Sequence, residues 1–204
     1  MQALNDIIIG KSGVAQIIKL GELNITSGKI CACDPLIESY FTGFEQEVKP
    51  GKYPVELYLE EDTDLVGMAV VWFERTTNIS EWKMATVPGE TISDEDLEEG
   101  YILGFPVESG LACFMDPQGS AEFLKLEDQA GEGEEASESV FLGPLLDENG
   151  GDWALAPLPG GHNIAAFSSG YGDGNYACYW GLDENGKVCA LAMDLDVFFT
   201  EEEL

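Results

Sequence analysis

Positive charge is what this chain most lacks: nine Lys and Arg stand against 39 Asp and Glu, a formal net charge of −30. So few cations exclude a nucleic-acid ligand, whose phosphates are met by several Lys or Arg contacts. Anionic membrane surfaces are disfavoured for the same reason. Histidine is reduced to His162, which follows Pro159-Gly160-Gly161 in what reads as a surface turn. Histidine-based catalysis is thereby all but excluded. Neither Ser168 nor Ser169 sits in a G-x-S-x-G elbow, and a cysteine nucleophile would depend on that same imidazole. There is no G-x-x-x-x-G-K loop and no G-x-G-x-x-G opening a helix. No apolar run approaches a transmembrane span. From Met1 to Gly13 there is no basic segment, and Ile7-Ile8-Ile9 is too short for a signal sequence. The five cysteines are odd in number and form no C-x-x-C pair, which suits reduced, buried thiols and a cytoplasmic location.

What the chain has in plenty is carboxylate. A basic protein is the partner such a charge favours, because an acidic face raises the rate of association with it by roughly 10- to 1000-fold at low salt. Solubility, or a host with an acidic proteome or a salty habitat, accounts for the same charge without a partner.

Period-two apolar patterning dominates and predicts strands at 17–25, 29–33, 44–48, 53–60, 65–74, 81–87, 111–115, 163–168, 175–181 and 187–194. In Val55-Glu56-Leu57-Tyr58-Leu59-Glu60 the odd positions face a core and the even ones solvent or a rim. Pro50-Gly51 is expected to turn 44–48 into 53–60 as a hairpin. Leu182-Asp183-Glu184-Asn185-Gly186 joins the last two strands by a short loop. Helix is scarce: one or two turns at 93–99, and a better candidate at 117–126. The span 127–139 has no apolar periodicity and reads as a mobile acidic loop within a single domain, 1–204. The tail, 201–204, reads as frayed.

Two features carry candidate chemistry. Ser27-Gly28 through Cys31 to Asp34-Pro35 and Ser109-Gly110 through Cys113 to Asp116-Pro117 share the spacing S-G-x-x-C-x-x-D-P. Each reads as a Gly turn, a buried strand and an Asp-Pro helix start. The functional alternative is that both carboxylates emerge at one end of a sheet and converge. With Glu108, Asp173 and Asp194 they would then form a hard-cation or paired-carboxylate site, Ca²⁺ or Mg²⁺ being the ion that oxygen ligands select. Otherwise no cofactor is expected. The second feature is Ser169-Gly170-Tyr171-Gly172-Asp173-Gly174 and the aromatic strand after it. It leads into a strand, so no helix N-terminus awaits an anion. Alternation sends Tyr176 and Trp180 to one face and Tyr179 to the other. Core packing accounts for these rings; so does an interface anchored by Ser169, Tyr171, Asp173, Tyr176 and Trp180.

Several segments together resemble a bacterial family of uncharacterised proteins known only as a domain of unknown function. They are Gly21-Glu22-Leu23, Ser27-Gly28 to Ala32-Cys33-Asp34-Pro35-Leu36, Pro50-Gly51-Lys52-Tyr53-Pro54-Val55, Trp82-Lys83-Met84-Ala85, Gly110 to Asp116, and Phe167 to Gly174. The resemblance implies no activity. One departure is Glu108, where it implies an aspartate before the Gly110 strand.

The expected fold is mostly β: an antiparallel two-sheet sandwich or a strongly curved sheet, with one or two short helices. The expected role is an intracellular acidic protein-binding module, in concrete form an immunity or inhibitor protein that neutralises a basic partner. The alternative is a metal-dependent carboxylate-site hydrolase.

Overall fold

The computed structural model describes residues 2–10, 13–37, 41–76, 78–93, 95–96, 99–128 and 141–198. The acidic span 127–139 lies outside these residues but for Glu127 and Asp128, as do the tail, 201–204, and residues 94, 97 and 98 of the helical turns expected at 93–99. Among the described residues the chain is mostly β, with two antiparallel sheets and three short α-helices of six to eight residues. Strands β1 (Val14–Ile25), β3 (Gly51–Glu60), β4 (Val66–Trp72), β11 (Val188–Asp194), β10 (Gly174–Leu182) and β5 (Glu81–Met84) form one sheet in that order, and β6 (Gly104–Val107) also pairs with β10. Strands β2 (Cys31–Cys33), β7 (Leu111–Met115), β9 (Asn163–Ser168) and β8 (Trp153–Pro157) form the second.

Side-chain alternation distributes the apolar residues among three clusters. Between the sheets, Val55, Leu57, Ala69, Val71, Leu191 and Met193 meet Ala32, Phe114 and Phe167. On the far side of the smaller sheet, Cys31, Cys33, Cys113 and Met115 pack with Phe123 of α2 (Ser120–Glu127) and with Leu142 and Leu146 of α3 (Leu142–Asp147). On the far side of the larger sheet, Tyr58, Met68, Val70 and Trp72 cluster with Leu4, Ile7 and Ile8 of α1 (Gln2–Ile8). The central strands of each sheet are therefore covered on both faces, which explains the continuous apolar runs of β4 and β7.

That covering corrects one expectation. The odd positions of β3 do face the inter-sheet core, but Glu56 and Tyr58 are buried as well, at 2% and 0% exposure, in the layer that α1 closes. A second correction concerns 44–48, which is not a strand. Phe44 and Val48 donate their N–H groups to the carbonyls of Ile30 and Gly28, and Glu45 donates to Thr86, so the segment runs as an irregular strap. The antiparallel neighbours of β3 are β1 and β4. The loop between β10 and β11 is as expected: the Asp183 carboxylate accepts the N–H groups of Asn185 and Lys187, and Asp183 N–H reaches Lys187 O. The helix at 117–126 is found as a 3-10 turn, Pro117–Gly119, running into α2.

Candidate functional site

The echoed motif has a definite geometric meaning. Strands β2 and β7 pair antiparallel with Ala32 opposite Phe114, the same position in the two copies, so a local two-fold axis passes between them. Asp116 Oδ2 accepts Thr26 N–H at 2.6 Å and Ser27 N–H at 2.7 Å, and its Oδ1 accepts Gln118 N–H at 2.9 Å. Asp34 Oδ2 accepts Glu108 N–H at 3.0 Å and Ser109 N–H at 2.9 Å, and its Oδ1 accepts Leu36 N–H at 2.9 Å. Burial alone would push the Asp116 carboxyl up, but the N–H groups of Ser27, Gln118 and Thr26 outweigh it and hold it below the ordinary value. Because the strands run in opposite directions, the two carboxylates stand at opposite ends of the pair and do not converge. Glu108 contributes its backbone N–H to this arrangement while its side chain is exposed.

Asp34 and Glu108 lie at the end of the molecule that also carries the Ser169–Gly174 turn, since Ser169 N–H donates to Gly110 O and Gly174 pairs with Val107. Asp194 ends β11 on the same side: Gly170 abuts Leu195, where a Cβ would come within 2.7 Å of the Leu195 carbonyl oxygen. That contact, with φ of 55°, is why glycine is needed at 170. Burial pushes the half-buried Asp194 carboxyl up to about 6, against the Asp196 N–H that donates to it, and the Asp196 charge adds to the rise. Burial raises Asp196 too. Among the described residues, however, no three His, Cys, Asp or Glu side chains are grouped so that they could hold a metal ion.

The five residues proposed for an interface divide by burial. Tyr171 is 71% exposed and Asp173 is exposed, whereas Ser169, Tyr176 and Trp180 are buried at 0%, 4% and 4%. Tyr176 and Trp180 point together into the inter-sheet core and Tyr179 to the other face, as alternation requires. The buried members support the exposed ones. The Tyr176 hydroxyl lies 2.9 Å from Ser169 O and 2.8 Å from Gly172 O, and Ser169 Oγ donates to Gly172 O at 2.9 Å. The turn that displays Tyr171 is thus tied to the core from below.

Beside this turn lies a cavity of about 110 Å³ that sequence reading missed. It forms where β10 changes its edge partner. On the edge away from β11, residues 174–177 pair with β6 and 179–182 with β5, and between them the Cys178 carbonyl accepts the Ala85 N–H at 2.7 Å. Ala32, Cys178 and Tyr176 line it together with Phe44 and Phe105, all buried; Thr42 and Glu90 are exposed members of its lining. A tight turn places Glu90 there. Glu90 N–H donates to Val87 O at 3.1 Å across Pro88-Gly89, with Gly89 at φ of 91°. The Val-Pro-Gly-Glu turn was readable in the sequence; the split of β10 between two partners was not.

Two further polar groups escaped prediction or change meaning. Glu56, buried in β3, accepts from Trp72 Nε1 at 3.1 Å and Tyr58 Oη at 3.3 Å and pairs with Arg75, whose guanidinium stacks on the Trp72 ring at 5.3 Å. Burial pushes the Tyr58 hydroxyl well up, and the Glu56 charge adds to it. His162 is half-buried rather than on an open turn: its Nε2 lies 2.8 Å from Thr26 Oγ1, and its buried Nδ1 has no hydrogen-bond partner among the described residues. Asp116 stands on the threonine side of that pair, 3.1 Å from Oγ1, so among the described residues no acid is hydrogen-bonded to the imidazole as the orienting partner of a catalytic base is. All five cysteines are buried free thiols, with Cys33 Sγ and Cys113 Sγ 3.5 Å apart.

No helix among the described residues is long and apolar enough to cross a membrane. No curated protein matches this chain, and no solved structure does. The family model described as Protein of unknown function (DUF4241) matches residues 23–193, from β1 to β11, and the chain therefore belongs to that family.

Proposed function

We propose that this chain is an acidic protein-binding domain that captures a basic protein, in concrete form an immunity or inhibitor protein that neutralises a basic toxin or nuclease inside the cell. The observation that carries this reading is the exposed Tyr171 on a core-anchored turn, with exposed Asp173 beside it and exposed Glu108 and Asp196 at the same end of the molecule. An aromatic side chain on a rigid support loses little entropy on binding, and Tyr is enriched among residues that dominate interfaces. The surrounding charge accelerates encounter with a cationic surface. Five reduced thiols are in keeping with a reducing compartment.

The test is titration of the purified chain with basic proteins encoded beside its gene, at several salt concentrations. Binding is expected to weaken steeply as salt rises from about 50 to 500 mM, because the Debye length shrinks several-fold across that range. Tyr171→Ala is expected to weaken it about 30-fold or more, a loss of hot-spot size. A Tyr171→Ala variant that binds as tightly as the parent would remove this site from the reading. Failure of every neighbouring basic protein to bind at low salt would remove the reading itself.

A further inference from the structure

We infer that the open edge of β1 over residues 14–20 is a self-association surface, on which a second copy of this chain lays its own β1 antiparallel to make one continuous sheet. β1 ends the strand order of the larger sheet, and β3 takes one of its sides. The C-terminal half of the other side is plugged: Asn163 Oδ1 accepts Asn24 N–H and Asn163 Nδ2 donates to Glu22 O, both at 2.8 Å. Among the described residues no strand or plug reaches residues 14–20, and Ile17 there is 38% exposed. Such an edge offers unpaired backbone groups to an arriving strand.

Register identifies those groups. Glu61 N–H donates to Gly13 O and Glu60 N–H to Leu65 O, so odd residues of β3 turn toward β1 and even ones toward β4. Gln16 and Ile18, opposite Leu59 and Leu57, are therefore the residues bonded to β3, and Ile17 and Lys19 turn their N–H and C=O groups outward. Register shifts at Ala15 and Leu20 bound the stretch. A two-fold axis at Ile18 sets Ile17 of each copy opposite Lys19 of the other. Every outward N–H and C=O of these two residues is then paired, and no lysine faces a lysine. One patch serves both copies, as a closed dimer requires.

Charge selects the occupant. From Gly13 to Gly21 the chain has no acid and a single cation, Lys19, in a molecule of −30. A basic segment would meet Lys19 here and no carboxylate. An acidic segment would bring charge of the sign that the molecule already carries in excess. The second copy brings neither to the contact, since its own strand is the same acid-free one. Long-range repulsion between the copies opposes the dimer, and salt screens it. β3, β4 and β11 stand between β1 and β10, so this edge is separate from the Tyr171 turn and independent of the function proposed above.

Sedimentation equilibrium of the full chain tests the inference. A dimer is expected with a Kd on the order of 100 µM at about 500 mM salt, weakening roughly threefold or more at about 50 mM. That is the reverse of the salt dependence expected for a basic partner. Ile17→Pro deletes an outward N–H and no bond to β3, and is expected to weaken the dimer about tenfold or more. Lys19→Glu changes an exposed side chain and is expected to do the same at low salt, by placing an acid on each strand of the contact. Melting temperatures serve as the check on folding. Ile18→Cys is expected to give a disulfide-linked dimer under a mild oxidant, because residues on the axis stand about 4.5 Å apart between Cα atoms. A chain still monomeric at about 1 mM in high salt, a dimer indifferent to both edge variants, or an Ile18→Cys chain no more cross-linked than the parent would overturn the inference.

Discussion

Asp34 and Asp116 each close the turn that launches the other's strand. Asp34, after β2, accepts from Ser109 ahead of β7, and Asp116, after β7, accepts from Ser27 ahead of β2. Both are fully buried, and both gather three backbone N–H groups. The arrangement is a reciprocal clamp about the β2–β7 pair, built by one sequence pattern used twice.

The clamp predicts matched effects from unmatched places in the chain. Asp34→Ala and Asp116→Ala should each cost about 2–4 kcal/mol, since truncation leaves several backbone donors without their acceptor. Asparagine should rescue little, because its NH₂ group would face backbone donors at one of the two oxygen positions. Urea denaturation of the four variants checks this. A cost below about 0.5 kcal/mol at either site would show that water replaces the carboxylate, and the clamp would lose its energetic meaning.

Glu56 offers a second separation of effects. Glu56→Gln keeps an acceptor for Trp72 Nε1 and gives up the charge on Arg75, whose side chain is 59% exposed, so about 1 kcal/mol is expected. Glu56→Ala strands the buried indole N–H and the Tyr58 hydroxyl and should cost about 3–5 kcal/mol. Tryptophan fluorescence during urea unfolding reads both. Equal losses would mean that the ion pair, and not the neutral hydrogen bonds, is what Glu56 supplies.

Asp194 gives the sign of a pH dependence. Its carboxyl is raised from 3.8 to about 6 in the folded chain, so the folded state takes up the proton before the unfolded state does. The resulting stability is complete below about pH 4 and is lost as pH rises through about 6. Asp194→Asn removes that loss. It should be more stable than the parent by about 1–3 kcal/mol at pH 7.5 and equal to it near pH 4. Melting temperatures of both chains across this range provide the measurement. A variant less stable than the parent at pH 7.5 would show that the ionised carboxylate is held favourably.

Alternation alone was enough to place β7 and β9, and the Asn185-Gly186 loop signal located the β10–β11 hairpin, because period two and turn chemistry are local properties. The segment 44–48 misled for a reason that is also physical. Phe44 and Val48 are apolar with suitable spacing, yet their N–H groups find carbonyls on Gly28 and Ile30 without entering a ladder. Strands β6 and β8 were missed, as Gly104-Phe105-Pro106-Val107 carries both a glycine and a proline; an edge position beside β10 tolerates them.

What the amino-acid sequence determined by itself is the net charge, the strand-rich alternation, the repeated turn-strand-Asp-Pro pattern and the opposed directions of Tyr176 and Tyr179. Each follows from composition or from neighbours a few residues apart. Only the tertiary structure decided that the repeated aspartates face opposite ways, that Tyr176 is a support while Tyr171 is displayed, and that Glu90 stands over a cavity. Those outcomes depend on which strands become neighbours and in which direction they run, and pairing over separations of tens of residues leaves no periodic trace in one chain.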